Sequence, residues 1–449
     1  MTHTARSSAF TTLLRIEKER SYADILIDRE LREGRLTGPD RGLYTELVYG
    51  TLRRQGTLDH IIAHVSTTPL AKLERAVVLL LRLGLYQIFF LDRVPVSAAV
   101  NETVNLAKQA APRAAGFINA VLRSADRGRD RIPYPDPERE PAAYLAARHS
   151  HPEWIVAGWL AQLGYGEAEM LAEVMAAPPP FTIRANRLKN SREELAKLLE
   201  EEGVTTLPCR YGPDGLVITS PVSLPNMASF SAGRFAVQDE ASQLATLLLA
   251  PEPGESILDL CAAPGGKATY LAELAGNRGT LLACDRQSRK LEQIREAATR
   301  LGITTITTIT LDATKPLDGL EGEQFDRILV DAPCSGLGVI HRNPEGKWWK
   351  EPTDPARLAL TQLAILGNAA PRLKPGGVLV YSTCSTSREE NEEVVEKFLT
   401  GHGDFVVEPV SAHFPRVADM ESDRGFFRSW PHRHGMDGFF AARLRKNIP

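Results

Sequence analysis

The sequence predicts a multi-domain chain: an all-α N-terminal part, a small α+β module, and a C-terminal α/β domain built on a parallel sheet. Three observations predict it. Apolar residues recur at helical spacing as far as about residue 130. Four prolines then crowd the ten residues from Ile132 to Pro141, a stiff and exposed connection. From about residue 236, strand-like and helix-like segments alternate strictly, the pattern of a parallel sheet covered on both faces. The expected boundaries are therefore 1–131, 142–235 and 236–449. A length of 449 residues agrees, at ~100–200 residues per domain.

In the first part, Gly38-Pro39 is a suitable helix entry for DRGLYTELVYGTLRRQGTLDHIIAHV. The most apolar window, Ala76 to Leu91, is shorter than the ~20 residues of a membrane span and is interrupted by Arg82, so it predicts a buried helix. AAVNETVNLAKQA and AGFINAVLRSAD follow as helices. In the module, Trp154 to Met175 reads as helical and Pro178-Pro179-Pro180 stops it. FTIRAN, TTLPCR and GLVITS read as strands, and Ser191-Arg192-Glu193-Glu194 forms a capping box ahead of LAKLLEEEG. In the third part the strands are SILDL, TLLACD, TITTITLD, FDRILVDAP and GVLVYSTCS. The helices between them are KATYLAELAG, RQSRKLEQIREAATRLG and ARLALTQLAILGNAAPRLK.

Composition excludes several classes. Hydrophobic (43%) and charged (24%) fractions are those of an ordinary globular chain. A net charge of -3 rules out a strongly basic nucleic-acid binder, although the first 130 residues hold 19 basic against 14 acidic groups. The N-terminus has no apolar signal core, so no secretion, no membrane association and a reducing cytoplasm are expected. Five cysteines (209, 261, 284, 334, 384) lie at wide spacing without a C-x-x-C pair, which argues against structural zinc or disulfides. The histidines lack metal-ligand spacing, and no metal is assigned.

The third part carries the chemistry. Its first four strands end at Asp259, Asp285, Asp312 and Asp331, where ligands of parallel sheets bind. After Asp259 comes a loop of small residues, Cys261-Ala262-Ala263-Pro264-Gly265-Gly266-Lys267, leading into a helix and allowing close approach to its N–H groups. Asp285 suits the two hydroxyls of a ribose. Neither the G-x-G-x-x-G nor the G-x-x-x-x-G-K-[ST] fingerprint is present, which removes a dehydrogenase reading. An acidic strand-end set disfavours a pyrophosphate and suits a cationic cofactor with one ribose, S-adenosylmethionine.

The fourth and fifth strands end in Asp331-Ala332-Pro333-Cys334 and Thr383-Cys384. If these strands are neighbours, the two cysteines sit side by side. A capping box at Ser387-Arg388-Glu389-Glu390 would set Cys384 just before a helix start, favouring its thiolate. Thiolate addition at carbon 6 of a pyrimidine makes carbon 5 able to attack a methyl group. Asp331 can hold the N3/N4 edge of cytosine meanwhile, and a second cysteine can assist release. This chemistry does not say which cysteine is which.

The segments DLCAAPGGKATYLAEL, LDATKPL, ILVDAPCSGLGVIHRNPEGKWW and GGVLVYSTCSTSREENEEVVEKFL resemble the NOL1/NOP2/Sun family of RNA cytosine-5 methyltransferases. RFAVQDEASQ matches its lead-in and DGFFAARLRK its closing strand. Within the family the likeness is to the RsmB (Fmu, Sun) type, which places a NusB-like helical domain ahead of the catalytic part, as FINAVLR and AVNETVNLAKQ suggest. The resemblance implies a Rossmann-like catalytic domain, an RNA-binding α+β module and a monomer. It implies S-adenosylmethionine held by Cys261, Ala262, Ala263, Pro264, Gly265, Gly266, Lys267, Asp285, Asp312 and Asp331, with Lys267 close to cofactor or target base. It also separates the cysteines: Cys384 is the nucleophile, Cys334 helps product release, and Asp331 completes the catalytic set. Cys261 and Cys284 are otherwise expected to be structural.

The implied substrate is 16S ribosomal RNA. A tRNA cytosine methyltransferase, or a NusB-like assembly factor with a spent methylase domain, is the alternative. Intact Cys334, Cys384 and four aspartates speak against the last. Two stretches mix basic and aromatic residues and are expected to grip RNA. One is the tail, with Arg424, Phe426, Phe427, Arg428, Trp430, His432, Arg433, His434, Arg443, Arg445 and Lys446. The other is the loop from His341 to Trp349.

Overall fold

A computed structural model describes residues 3–448, and the chain divides into two compact units. The first comprises Met1–Pro178 together with Ile340–Pro352, the second Pro179–Val339 with Thr353–Pro449.

The first unit is helical. Its central helix, Arg75–Phe90, is buried on nearly every face, as its predominantly apolar composition requires. Arg82 does not expose it. The guanidinium turns onto Asp59, donating from Nε at 2.7 Å and Nη2 at 2.8 Å, and donates from Nη1 to Glu17 at 2.6 Å. No helix of the described residues is long and apolar enough to cross a membrane. The segment expected as one helix from Trp154 to Met175 is two, Glu153–Leu163 and Tyr165–Met175. They break at Gly164, whose φ of +75° a side chain would resist. Both helices pack with this unit, so its packing extends past the proline-rich connection to Pro178.

Ile340–Pro352 follows directly on the Cys334 loop in sequence, yet it too packs with the helices. His341, Glu345 and Lys347 are buried, and the Glu345 carboxylate accepts from the Ala23 N–H at 2.9 Å. This corrects the expectation of an RNA-gripping surface for His341, Glu345 and Lys347, which face inward, whereas Arg342, Trp348 and Trp349 are half-buried. Lys347 Nζ donates to the Arg53 carbonyl at 3.3 Å and lies 3.5 Å from His151 Nδ1. Burial, reinforced by Arg54 and Arg53, pushes its pKa down to about 7.

The second unit holds two sheets. The smaller, in order β2-β3-β1-β4, is antiparallel: β1 (Phe181–Ala185), β2 (Thr206–Pro208), β3 (Gly215–Ile218) and β4 (Phe235–Val237). The expected capping box opens the helix Arg192–Glu201, with Glu194 N–H donating to Ser191 Oγ at 3.1 Å and Ser191 N–H to the Glu194 carboxylate at 2.7 Å. The larger sheet comprises β5 (Ser256–Asp259), β6 (Thr280–Asp285), β7 (Ile306–Thr310), β8 (Phe325–Asp331), β9 (Leu373–Thr383), β10 (Phe405–Glu408), β11 (Phe427–Ser429) and β12 (Phe439–Lys446). Its order is β10-β12-β9-β8-β5-β6-β7, with β11 on β12. The five strands read from sequence are the parallel ones, and an antiparallel edge follows β9. The chain runs outward from β5 through β6 to β7, then returns to β8 on the other side, so the switch point lies at the carboxyl end of β5.

Arg184 of β1 locks the small sheet to the helix Gly266–Leu274, which follows β5. Fully buried, it donates to Glu273 at 2.6 Å and to the Gly266 carbonyl at 2.9 Å, and stacks 4.3 Å from the Tyr270 ring centroid. Breaking such a buried pair on one side is costly because the remaining charge stays buried.

The tail is corrected in part, since Arg424 and Arg433 remain exposed. Phe426, Phe427 and Trp430 are core residues. Arg428 is paired with Glu392, Arg443 and Arg445 with Glu408, and Arg424 with Glu396, while Lys446 donates to the Ala370 and Leu373 carbonyls. These groups hold the antiparallel edge together.

Lys347 has a testable pH signature. Between about pH 7 and the ordinary lysine value it is neutral when folded and charged when unfolded, so the unfolded chain binds more protons and stability rises with pH. The limiting slope for one such group is ~1.4 kcal/mol per pH unit. Thermal melts of wild type should therefore gain stability from pH 7 to 9, and Lys347→Met should flatten that gain. An equal gain in both proteins would refute the assignment.

Candidate active site at the carboxyl ends of the parallel strands

The first strand end does not face a ligand as expected. Asp259 is fully buried; its Oδ1 accepts from the Cys261 N–H at 3.3 Å and its Oδ2 has no partner among the described residues. Burial, and then the nearby Asp331 charge, pushes its pKa up to about 8, so it backs the site as a neutral acid. The other three carboxylates, Asp285, Asp312 and Asp331, line a common cavity of about 450 Å³. Asp312 reaches it from two residues beyond β7.

The small-residue loop is divided in its roles. Cys261 and Ala263 line the cavity, whereas Ala262, Pro264, Gly265 and Gly266 form the turn beneath it and Lys267 points to Asp331. Gly265 has φ +106°, and a Cβ there would stand 3.2 Å from Ile294 Cα, so the turn needs glycine. The Cys261 thiol is held protonated by burial and by Asp259. Cys209 and Cys284 are core residues.

Asp285 Oδ1 accepts from the Gln287 N–H at 2.8 Å, and Asp312 Oδ1 accepts from Thr314 Oγ1 at 2.7 Å and its N–H at 3.1 Å. In both carboxylates the second oxygen has no hydrogen-bond partner among the described residues. The Thr314 bonds hold Asp312 below the usual carboxylate range, and so ionised. The donor set suits S-adenosylmethionine: ionised acceptors for hydroxyl groups and a positive centre, small residues for close approach, and a volume in the usual ligand range of roughly 300–1,000 Å³. Sequence reasoning missed the remaining wall. Arg286, Gln287 and Lys290 follow directly on Asp285, and Arg357, Leu358, Thr361 and Ile365 come from the helix Asp354–Ala369. Nothing in the sequence says that this helix covers the cavity.

Strands β8 and β9 pair in parallel with Asp331 opposite Ser382. Cys334 and Cys384 therefore leave adjacent strand ends, and their Sγ atoms are 3.3 Å apart on the cavity wall. Asp331 is fixed from both sides: Ser382 Oγ donates to Oδ1 at 2.9 Å and Lys267 Nζ to Oδ2 at 2.7 Å. Burial alone would lower the Lys267 pKa, but Asp331 outweighs it and keeps the ammonium charged, within electrostatic reach of Cys384. Cys334 differs from its neighbour. The hydrogen bond shared with Cys384, and then burial, raise its pKa well above an ordinary thiol's.

The expected capping box at Ser387 does not form. Ser387 Oγ accepts from Glu389 N–H at the start of a three-residue 3-10 turn, and the longer helix starts only at Glu392. The positive group near Cys384 is thus Lys267 rather than a helix end. Glu390 turns inward instead, with consequences developed below.

The family model described as 16S rRNA methyltransferase RsmB/F matches residues 246–445. The NusB family matches 3–127, and the ferredoxin-like domain of RsmF/B-like methyltransferases matches 151–225. The probable ribosomal RNA small subunit methyltransferase B of Bacillus subtilis (strain 168) is 40% identical over 98% of each chain. The solved structure of PH0851 superposes with a TM-score of 0.83 at 28% identity, covering 99% of this chain and 100% of that one. NSun6 from Pyrococcus horikoshii, solved with SFG, gives 0.58 at 25% identity over 66% and 99%. Identity sustained along the whole length, on a methyltransferase fold, settles membership: the chain belongs to the RsmB/F family of ribosomal RNA methyltransferases.

Proposed function

We propose that this chain methylates carbon 5 of a cytosine in 16S ribosomal RNA, using S-adenosylmethionine, through a covalent bond between Cys384 and carbon 6. The observation that carries this reading is the thiol pair 3.3 Å apart, beside the Lys267–Asp331 ion pair and open to the acidic cavity. The names of relatives supply the substrate class, and the structure solved with SFG supports the cofactor.

Cys261, Ala263, Asp285, Asp312 and Asp331 line the space for the cofactor, over the turn formed by Ala262, Pro264, Gly265, Gly266 and Lys267. S-adenosylmethionine supplies an electrophilic methyl group on a sulfonium centre. Cys384 attacks as the thiolate, stabilised by the Lys267 ammonium. Its sulfur pair forms the S–C6 bond, and the C5=C6 π pair moves toward carbon 5, the atom that takes the methyl group. Asp331, oriented by Ser382 and Lys267, retains lone pairs that can accept from the cytosine N4 amino group. After transfer a base removes the carbon 5 proton. That C–H pair restores C5=C6 and the S–C6 pair returns to Cys384. The protonated Cys334 thiol hydrogen-bonds the departing sulfur, which assigns the two cysteines different tasks.

Two substitutions separate these tasks. Cys384→Ala should lower methyl transfer to 16S RNA by at least ~10⁴-fold while RNA binding survives, since removing a nucleophile removes its pathway; measurable turnover near wild type would exclude Cys384 as nucleophile. Cys334→Ala should leave the first half of the cycle intact and accumulate a denaturation-resistant protein–RNA adduct in the presence of cofactor. A variant that turns over without accumulating adduct would remove Cys334 from release.

A further inference from the structure

Glu390 has been given no task by the reaction, yet it is fully buried directly behind the thiol pair. Its carboxylate accepts from the Ser335 N–H at 2.7 Å, from Ser335 Oγ, from Ser385 Oγ at 2.5 Å and from Gln362 Nε2 at 3.1 Å. Ser335 follows Cys334 and Ser385 follows Cys384, so one side chain grips the residue after each cysteine. Ser335 Oγ and Ser385 Oγ are themselves 3.0 Å apart.

The two loops do not depend on Glu390 equally. The Cys384 loop has other anchors: Asn391 Nδ2 donates to the Ser385 carbonyl at 2.9 Å, the Ser385 N–H to Thr383 Oγ1 at 3.3 Å, and the Gly338 N–H to the Cys384 carbonyl at 2.9 Å. The backbone ahead of Cys334 is held by the Ala332 N–H on the Ser382 carbonyl at 2.9 Å and by Gln362 Nε2 on the Pro333 carbonyl at 3.0 Å, and the residue after it by Glu390 on Ser335. Gln362 in turn rests on Glu390 and on Tyr381 Oη at 3.0 Å. Removing the Glu390 carboxylate therefore strips the Ser335 support of Cys334 directly and weakens that of Gln362, leaving the strand-end bond at Ala332, while Cys384 keeps three.

We propose that Glu390 is a positioning residue for product release: through Ser335 and Gln362 it holds Cys334 against Cys384, and its loss slows expulsion of the Cys384 adduct more than its formation. The inference rests on the covalent reading above. A misplacement of about 1 Å at reacting groups can cost ~10²-fold in rate, and when the slowed step follows formation of the covalent bond, kcat and KM fall together while kcat/KM is retained.

The test uses the full chain and 16S ribosomal RNA isolated from a strain lacking it, with S-adenosylmethionine. In steady state one measures kcat, the KM for RNA, and the fraction of enzyme carried as denaturation-resistant RNA adduct. Glu390→Ala should lower kcat ~10- to 100-fold, lower the KM for RNA in step so that kcat/KM stays within a few fold, and raise the adduct fraction severalfold. Glu390→Gln, which keeps the shape and an acceptor for the Ser335 N–H, should recover part of kcat and lower the adduct fraction. If Glu390→Ala does not fold, Ser335→Ala removes only the hydroxyl contact and should move both readouts the same way by less. Adduct fraction and kcat at wild-type level, or a variant that forms no adduct at all, overturns the release role alone. A wild type that methylates the RNA but never forms adduct overturns the covalent reading, and this inference with it.

Discussion

Parallel pairing of β8 with β9 ends with Asp331 opposite Ser382, and every reacting group of the site hangs from that register. Three residues beyond Asp331 and two beyond Ser382 the chain reaches Cys334 and Cys384, with their sulfurs in contact. A slip of one residue would displace one strand by ~3.3 Å and turn its side chains to the other face. The thiol pair would separate and Asp331 would lose Ser382. The backbone secures the arrangement a second time, because the Ala332 N–H donates to the Ser382 carbonyl at 2.9 Å and the Gly338 N–H to the Cys384 carbonyl. Gly338 tolerates no side chain: a Cβ there would stand 1.9 Å from the Gly438 carbonyl oxygen.

Charge is distributed around this register so that each group keeps one protonation state. Asp331 and Lys267 form an ion pair, the lysine the more buried partner and the carboxylate partly exposed on the cavity wall. Asp259 cannot afford a second negative charge there and remains protonated. The hydrogen bond to Cys384 and burial raise the Cys334 pKa, and the Lys267 ammonium lies within electrostatic reach of Cys384. Away from the reacting atoms, Asp285 and Asp312 hold an acidic wall for a cationic cofactor. Arg184 ties the turn at Gly266 to the small antiparallel sheet, so the floor of that wall is shared between the two sheets of the unit.

Much of this was legible in the sequence. Strand–helix alternation identified the parallel strands, strand-terminal aspartates marked the cavity, and the spacing of the P-C and T-C motifs placed both cysteines. What escaped reading was decided by tertiary partners. Ser387-Arg388-Glu389-Glu390 fits a capping box, but three donors from Ser335 and Ser385, and a fourth from Gln362, draw Glu390 inward and leave no box to form. The basic, aromatic tail looks like an RNA surface until Arg428 meets Glu392 and Phe427 enters the core. Lys347 is a surface residue by type and a buried one by position. Asp259 shares a strand-end pattern with three other aspartates, yet it alone lies wholly behind the cavity. Residue type announces chemistry, and only the fold decides which partner claims it.

The central claim is the atom that receives the methyl group. Unmethylated 16S ribosomal RNA is incubated with the enzyme and S-adenosylmethionine carrying an isotopically labelled methyl group, digested to nucleosides, and separated with mass detection. The label should reside in 5-methylcytidine. Label on the N4 amino group, on a ribose or on another base would contradict it, because none of those acceptors needs a thiolate beside the cofactor.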